Sequence, residues 1–211
     1  MPKGSAELTN ARKEEIIAAC RKLYETMSFK EITLKEIGQQ TTFTRTSIYN
    51  YFETKEEIFL ALLQQEYDTF TEVLESLCES REALSLDELA SELSHALEER
   101  MLLLKLLSMN LYDMEANSRM ERLIEFKASY GAWKDALDRC LQKFCPSIGE
   151  QGRQTFLYAF LPFIYGLYPY TMVTDKQKEA LEKAGVSYVY MSTFEMAYAC
   201  IRALLGGLQE C

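Results

Sequence analysis

The chain has 211 residues, 48% of them hydrophobic, which suits a small domain followed by a larger one with a substantial core. Its net charge of −9 argues against a protein that coats nucleic acid or a membrane surface. Residues 1–60 balance nine basic against nine acidic side chains, so the excess comes from residues 61–211, with 14 basic and 23 acidic side chains. A neutral N-terminal part can approach phosphates, and the acidic remainder keeps that contact local.

A few residue types indicate the compartment and argue against a catalytic centre. Residues 1–15 are polar and lack the apolar segment of an export signal. The six cysteines are scattered without a C-x-x-C pair, as in reduced proteins whose thiols fill core positions. His95 is the one histidine, and no Ser-His-Asp arrangement or metal-ligand cluster is spaced around it. We therefore expect a cytoplasmic protein that is not an enzyme and holds no metal or cofactor.

The N-terminal part predicts three helices and a tight turn. Apolar residues recur at helical spacing over residues 11–28, which forms the first helix. Thr33, with Glu36 three residues later, has the spacing of a capping box that begins the second helix. Residues 41–43 form the turn, and Thr44 is the expected cap of the third helix.

The third helix combines an apolar side with a polar side. Ile48 and Phe52, four residues apart, share one face and must be buried. The other side chains are mostly polar, as a recognition helix needs where its N-terminal residues reach base edges in the major groove. Arg45 can bind guanine through two hydrogen bonds, and Asn50 can read adenine or bind a phosphate. A three-helix packing unit with a solvated polar face fits the same pattern, so the residues alone leave both interpretations open.

Beyond residue 54 the sequence predicts helices throughout. Two of them begin at capping boxes, Thr54 with Glu57 and Ser85 with Glu88, and the second continues to about residue 107. Further helices are expected around residue 112 and over residues 118–144, 152–168, 175–184 and 192–205, with Pro146 and Gly185 as stops. Because no strand-like alternation of apolar and polar residues occurs, we expect an all-α fold.

Residues 154–174 form a run of 21 residues without a charged side chain, which is long enough to cross a membrane. Pro162 and Pro169 interrupt this run, it contains four tyrosines, and neither flank is rich in lysine and arginine. We interpret it as a helix buried in a core or in a subunit interface, and we expect no membrane contact.

Residues 11–60 resemble the N-terminal domain of the tetracycline-repressor (TetR) family of bacterial transcription regulators. The resemblance lies in the long first helix and in the sequence ITLKEIGQQTTFTRTSIYNYFETKEEIF, which ends in the pattern I-Y-x-Y-F-x-x-K-E-E at residues 48–57. It implies a homodimer with two helix-turn-helix heads and a variable helical C-terminal domain that binds a small effector and releases DNA. It also implies structural roles for Ile48 and Phe52.

Residues and resemblance together define the expected DNA contacts. The side chains predicted to bind DNA are Thr33, Lys35, Thr44, Arg45, Thr46, Ser47, Tyr49, Asn50, Tyr51 and Lys55. One departure from the family concerns the turn, where Thr41 and Thr42 replace the usual Ala-Gly. A β-branched residue in a left-handed conformation costs about 1 kcal/mol or more, so either the turn avoids that conformation or the head is strained. Thr46, where Gly or Pro is common, is a milder departure.

The architecture expected is an N-terminal three-helix helix-turn-helix DNA-binding domain, residues 1–54, followed by a larger helical effector-binding and dimerisation domain, residues 55–211. Its function would be that of a ligand-responsive repressor, which binds a near-palindromic double-stranded DNA operator as a dimer and is released by a small hydrophobic effector. The alternative is a DNA-binding protein whose helical C-terminal domain binds a protein partner instead of a small molecule.

Aromatic and methionine side chains of the C-terminal part predict an apolar pocket with a few hydroxyls, suited to a hydrophobic or aromatic molecule. The residues predicted to line it are Met101, Met109, Tyr112, Phe126, Tyr130, Trp133, Tyr158 and Tyr165. Aromatic stripes on helices also occur in plain cores, which is the alternative.

Two apolar stripes at helical spacing predict a four-helix bundle with a second subunit. The residues predicted for this dimer interface are Phe156, Phe160, Phe163, Ile164, Phe194, Tyr198, Ile201 and Leu205. The alternative is that both stripes close the core of a single subunit.

Overall fold

The fold is that of a computed structural model, which describes residues 3–42, 45–109 and 111–209. Within those ranges the chain forms no strand, one 3-10 helix (Pro146–Ile148) and eleven α-helices: α1 (Lys3–Thr26), α2 (Leu34–Gln39), α3 (Arg45–Ile48), α4 (Lys55–Ser80), α5 (Leu86–Glu98), α6 (Met101–Leu107), α7 (Leu111–Ala116), α8 (Met120–Phe144), α9 (Gly149–Thr171), α10 (Asp175–Lys183) and α11 (Thr193–Gln209). The predicted all-α fold is confirmed.

The chain divides into two compact units. The first consists of Met1–Gln65 together with Asn110–Ser129, and the second of Glu66–Met109 together with Tyr130–Cys211. Helices α4 and α8 contribute residues to both. The predicted boundary after residue 54 lies at the start of α4, whereas the first compact unit runs further and also takes in α7 and the beginning of α8. The 1–54 and 55–211 division therefore stays a prediction about domains.

The first unit is built on apolar side chains that recur every three or four residues along short helices. In α1, Ile16, Cys20 and Tyr24 are all buried at helical spacing. The ring of Phe59 in α4 packs edge-on against Tyr24 at 5.1 Å and against Phe29 at 4.8 Å between centroids. These contacts hold the first helix and the loop after it against the start of α4.

Helix α1 begins at Lys3, well before the predicted start at residue 11. Ala6, Glu7 and Leu8 have high helix propensity, so the helix can extend ahead of the apolar stripe on which the prediction relied. The predicted helix to residue 107 is interrupted as well. Arg100, between α5 and α6, adopts φ −116° and ψ 48° and turns its side chain inward, where Nη1 donates to the Ala96 carbonyl at 2.8 Å.

The capping predictions have mixed outcomes. Ser85 and Glu88 form the predicted box, with both reciprocal hydrogen bonds present. The Thr33 hydroxyl accepts from the backbone N–H of Lys35 at 3.2 Å, one residue earlier than the box predicts. The Thr54 hydroxyl accepts from the Glu57 N–H at 3.2 Å as predicted, but the Glu57 carboxylate accepts from the N–H of Glu53 instead of returning to Thr54.

In the second unit α5 packs on α11, and α9 packs on both α6 and α11. Helix α9 continues through Pro162 and Pro169, and it covers residues 154–171 of the uncharged run that the sequence identified. Gly185, at φ 67°, terminates α10 in the left-handed conformation expected of a glycine stop. Among the described residues no single helix is long and apolar enough to span a membrane, although the bent pair Pro146–Thr171 and Asp175–Lys183, at 83°, meets that test by length and composition.

Candidate DNA-binding surface and effector site

Helix α3 ends at Ile48, before Phe52, which was predicted to lie on the same helix, and residues 49–51 form a turn. The helix and this turn have one buried side and one solvent-facing side. Ile48 is fully buried and Phe52 is 1% exposed, which confirms the structural roles predicted for both. The guanidinium of Arg122 lies 5.6 Å from the Phe52 ring centroid and covers that side chain from the first unit's own α8 segment. Because the apolar pair faces inward, the opposite side of α3 and of the turn after it faces water. There Thr46 and Asn50 are exposed.

The predicted DNA contacts occupy different environments. Tyr49 is 46% exposed, while Ser47 and Tyr51 are half-buried. Thr33 and Lys35, at the start of α2, are exposed. Thr44 and the side chain of Arg45 lie outside the described residues, so nothing about their placement is added to the prediction.

Two of the predicted contacts already have partners within the unit. The Lys55 ammonium donates to the carbonyls of Phe29 at 2.6 Å and Ile32 at 3.1 Å, and it lies 4.1 Å from the Phe29 ring centroid. The Tyr51 hydroxyl accepts from Nη1 of Arg12 at 3.2 Å. Lys55 thus fastens the loop between α1 and α2 to the start of α4, a role that sequence reasoning did not assign to it.

The turn before α3 avoids the conformation that threonine would find costly. Among the described residues no residue other than glycine has a positive φ, and both Thr41 and Thr42 are described. The Thr41 hydroxyl donates to the Gly38 carbonyl at 3.1 Å, and the backbone N–H of Thr42 donates to the Glu15 carboxylate. Of the two alternatives for this turn, the unstrained one applies to Thr41 and Thr42.

An ion pair between a buried glutamate of α4 and the partly exposed Arg119, just before α8, lies inside the first unit. Glu57 is fully buried, and its carboxylate accepts from Arg119 Nε at 2.7 Å and Nη2 at 2.8 Å. The backbone N–H groups of Arg119, at 3.0 Å, and of Glu53, at 2.8 Å, complete its shell. The same guanidinium donates to the Tyr51 carbonyl just after α3, at 3.3 Å. Arg119 thereby also holds the backbone just after α3.

Burial by itself would raise the pKa of Glu57. The hydrogen bonds from Arg119 and from the backbone of Glu53 and Arg119 outweigh burial, so the pKa lies below its usual value. The hydrogen bond with Glu57 raises the pKa of Arg119 correspondingly. Both groups are therefore charged at neutral pH. Sequence reasoning identified Glu57 only as a cap and missed Arg119, because no local pattern links residues 62 positions apart.

Family models match nearly the whole chain. Residues 16–62 match the model for bacterial regulatory proteins of the tetR family, and residues 64–210 match the tetracyclin repressor-like C-terminal domain. The second match alone covers more than half of the chain. The chain belongs to the TetR family.

Relatives of this TetR-family regulator share its fold at low identity. A structure of a TetR/AcrR-family regulator from Thermobifida fusca is 18% identical, with a TM-score of 0.59 over 93% of this chain and 98% of that one. The fatty acid degradation regulator FadR from Bacillus halodurans is 15% identical, with a TM-score of 0.57 over 94% and 96%. FadR from Bacillus subtilis, in complex with stearoyl-CoA, is 16% identical, with a TM-score of 0.52 over 92% and 98%. These likenesses show the fold.

A curated relative matches only in part. The uncharacterized HTH-type transcriptional regulator YfiR of Bacillus subtilis is 28% identical over 67 residues. That match spans 32% of this TetR-family chain and 33% of the relative.

The residues predicted for the effector pocket fall into both compact units. Tyr112, which is 83% exposed, and the buried Phe126 belong to the first unit. The members in the second unit are Met101, Met109, Tyr130, Trp133, Tyr158 and Tyr165. Of these, Tyr158 is 70% exposed and Trp133 is fully buried.

Trp133 is the centre of an aromatic cluster in the second unit. Its ring lies 5.2 Å from that of Tyr67, 5.7 Å from Phe70 and 6.2 Å from Tyr130. The indole Nε1 is buried and has no hydrogen-bond partner among the described residues. A buried donor without an acceptor costs about 1–3 kcal/mol, so this nitrogen is a place where a ligand acceptor would be stabilising.

Arg100 adds a buried charge to the same cluster. Its guanidinium carbon lies 5.2 Å from the Phe70 ring centroid, and its Nε is buried without a partner among the described residues. Burial lowers the pKa of Arg100, while the carboxylates of Glu99 and Glu66 act in the opposite direction. The side chain is 9% exposed. The sequence did not predict this burial, because an arginine within a predicted helix normally lies on the surface.

An apolar depression of about 430 Å³ lies elsewhere in the second unit, where the end of α9 meets α10. It is open to solvent and was not predicted. Its lining consists of Pro169, Tyr170, Val173, Gln177, Ala180, Leu181, Ala184 and Tyr188.

Most of the predicted interface residues belong to the protomer's own core. Five of them have no exposed surface: Phe156, Phe160, Ile164, Ile201 and Leu205. These five follow the alternative, in which the stripes close the core of a single subunit, because a fully enclosed side chain has no surface to offer a partner. Phe163, Phe194 and Tyr198 are half-buried, and their interface role stays a prediction.

Proposed function

We propose that this TetR-family protein is a cytoplasmic, ligand-responsive transcriptional repressor that binds a near-palindromic operator as a homodimer and dissociates when an effector binds. The observation that carries the proposal is the sidedness of α3. Ile48 on α3 and Phe52 after the following turn are buried, while Thr46 on α3 and Asn50 in the turn remain exposed for base edges and phosphates. The charge distribution supports it, because the segment that would meet DNA is neutral within an acidic chain.

A mobility-shift titration on the DNA upstream of the protein's own gene tests operator binding. We expect a retarded complex that survives an excess of random duplex and weakens steeply as salt rises, because bound Lys and Arg side chains release counterions. Half-site centres should lie about one helical turn apart, roughly 34–36 Å, or slightly more. Equal affinity for random duplex would overturn the proposal.

The surfaces of α9 and α11 support homodimerisation. On α11 every fourth residue is exposed, and after Glu195 this stripe consists of Ala199, Ala203 and Gly207. On α9 the exposed positions include Tyr158 and Pro162, inside the run without charged side chains. The core of a subunit interface is depleted of charged side chains, as this stripe is after Glu195, and the two helices pack on each other within the protomer. We propose this outer face, shifted from the predicted stripe, as the dimer interface.

The effector we propose has an apolar body and at least one strong hydrogen-bond acceptor, such as a carboxylate or an acyl thioester. The apolar body suits the rings around Trp133, and the acceptor would satisfy the buried nitrogens of Trp133 and Arg100. Stearoyl-CoA, which FadR of Bacillus subtilis binds, has this combination of features.

Trp133 is the one tryptophan of the chain, so its fluorescence reports directly on this cluster. Titration with stearoyl-CoA and with stearate should change its emission in a saturable way, and coenzyme A alone should not. If Arg100 binds the acceptor, Arg100→Met should reduce the binding free energy obtained from the titration by about 1.5–3 kcal/mol. Arg81→Met, at an exposed position, should leave the binding free energy unchanged. No response to acyl acids, thioesters or aromatic acids would favour a C-terminal domain that binds a protein partner.

A further inference from the structure

Two cysteine side chains of the second unit are in direct contact. Cys78 is near the end of α4 and Cys140 is on α8, and their Sγ atoms lie 2.8 Å apart. Both are free thiols in this structure. A disulfide requires a sulfur–sulfur distance of about 2.05 Å, so the two atoms need to move less than an ångström to bond.

The two thiols differ in their access to solvent. Cys140 is fully buried, and its Sγ lies 3.3 Å from the carbonyl of Leu74. Cys78 is half-buried and lines an open depression of about 400 Å³. A small oxidant can therefore reach Cys78 from solvent, while Cys140 lies behind it. This is the arrangement of an attacking thiol with a second, resolving thiol.

The depression beside Cys78 carries charges of both signs, because Glu75 and Glu79 line it together with Arg139 and Lys143. Lys143 donates to the Cys78 carbonyl at 2.6 Å, and Arg139 lines the same depression, where it pairs with Glu75 at 2.8 Å. The thiolate is the form of a cysteine that attacks peroxide, and it needs access to the oxidant, which Cys78 has through the depression. Burial and the contact with Cys78 raise the pKa of Cys140, so Cys140 is not the thiol that reacts first.

We propose that Cys78 and Cys140 form a reversible disulfide in response to hydrogen peroxide. The Cys78 thiolate attacks one peroxide oxygen, the O–O bond breaks, and the departing hydroxide takes up a proton to become water. This leaves a sulfenic acid on Cys78. The Cys140 sulfur then attacks Sγ of Cys78, the S–O bond breaks as the S–S bond forms, and the departing hydroxide becomes a second water with the proton of Cys140. Two thiols are oxidised by two electrons, and one peroxide is reduced to two waters.

The bond would join α4 covalently to α8. Cys78 and Cys140 both lie in the second compact unit, and each of the two helices also contributes residues to the first unit. We expect operator affinity to differ between the oxidised and reduced forms. That consequence rests on the proposed repressor function, whereas formation of the disulfide does not.

Peptide mass mapping tests the bond itself. The reduced full-length protein is treated with hydrogen peroxide, remaining thiols are alkylated, and the digest is analysed without reductant. We expect one cross-linked pair of peptides containing Cys78 and Cys140, lighter by two hydrogen atoms than the separate peptides and lost on treatment with dithiothreitol. Linkage of other cysteines, or oxidation of Cys78 to a sulfinic acid with no link, would overturn the proposal. This measurement uses the unaltered chain, so it does not depend on whether a variant folds.

Variants separate the two thiols. Cys78→Ser should abolish the link, whereas Cys140→Ser should leave a sulfenic acid on Cys78 that dimedone traps. Cys200→Ser is the matched control, because Cys200 is also half-buried, and it should form the link as the unaltered chain does. In the unaltered chain, dimedone adducts at Cys140 in place of Cys78 would contradict the assigned order of attack.

Operator binding by the reduced and the peroxide-treated protein is then compared. If the reduced protein binds no operator while the cross-link forms, the proposed function fails and the disulfide stands. If the reduced protein binds and the cross-link does not form, the disulfide fails alone. A change in affinity that dithiothreitol reverses, and that Cys78→Ser lacks, supports the regulatory consequence, while equal affinity of both forms overturns it.

Discussion

The carboxylate of Glu57 and the guanidinium of Arg119 form a two-point ion pair, at 2.7 and 2.8 Å, around a glutamate with no exposed surface. Such a pair is expensive to break from one side, because the remaining charge stays buried without its partner. The ion pair therefore fixes the position of the Arg119 guanidinium, which also donates to the Tyr51 carbonyl just after α3.

We expect Arg119→Ala to lower the free energy of unfolding by about 3 kcal/mol, measured by urea denaturation at neutral pH. The control is Arg139→Ala. Arg139 also pairs with a glutamate of α4, at 2.8 Å to Glu75, but both partners are about half exposed, and such pairs contribute about 0–1 kcal/mol. Equal losses in the two variants would show that the burial of Glu57 does not determine the cost.

Lowering the pH should reduce the free energy of unfolding, in part through protonation of Glu57. The pKa of Glu57 in the folded state lies below the 4.5 of a free glutamate, so its contribution to stability is fully present above that value and is lost as pH falls through the folded-state pKa. Urea denaturation from pH 7 down to pH 3 should show a shallower decline for Glu57→Gln than for the unaltered chain. Glu31, Glu36, Glu88 and Glu195 each pair with a serine or threonine three residues earlier, and their pKa values are also lowered, so they contribute to the decline that remains. Parallel curves would exclude Glu57 as a source of acid sensitivity.

Replacement of Arg45 should relax base selectivity. Loss of a two-point contact to guanine costs about 1–3 kcal/mol of discrimination between the operator and single-base variants of it, measured in competition mobility shifts. Uniform weakening on every duplex would instead identify Arg45 as a phosphate contact. Arg81→Ala, at an exposed position of the second unit, serves as the control and should bind all duplexes as the unaltered chain does.

A charge placed on the outer face of α11 should dissociate the proposed dimer. Ala203 is exposed on that face, so Ala203→Glu leaves the protomer core intact and puts an unpaired carboxylate where a second copy would pack. Light scattering coupled to size exclusion should report a shift towards monomer. Ala132→Glu, at an exposed position of α8, is the matched control and should keep the mass of the unaltered protein. A dimer in both variants would move the interface away from α11.

Features with a local cause were predictable from the sequence. The spacing of Ile48 and Phe52 identified the buried side of α3, and Ser85 with Glu88 marked the start of α5, because these interactions span no more than four residues. The break at Arg100 was not predictable. It depends on an inward-facing guanidinium whose surroundings come from distant parts of the chain.

The missed features share a physical reason. Glu57 and Arg119 are 62 positions apart, and only the folded chain brings them together. An apolar stripe on α9 or α11 indicates that something covers it, but the pattern is the same whether the cover is the same chain or a second copy. Phe160 and Ile201 were therefore assigned to a partner although the protomer's own core encloses them.

The first compact unit is discontinuous in sequence, since Asn110–Ser129 completes what Met1–Gln65 begins. During synthesis the N-terminal helices therefore leave the ribosome long before Arg119 is available to close on Glu57. Until Glu66–Met109 has been added, Glu57 has no arginine partner and remains exposed to water. We therefore expect a fragment that stops at Gln65 to fold poorly, and we expect the proposed DNA binding to need residues 110–129 as well.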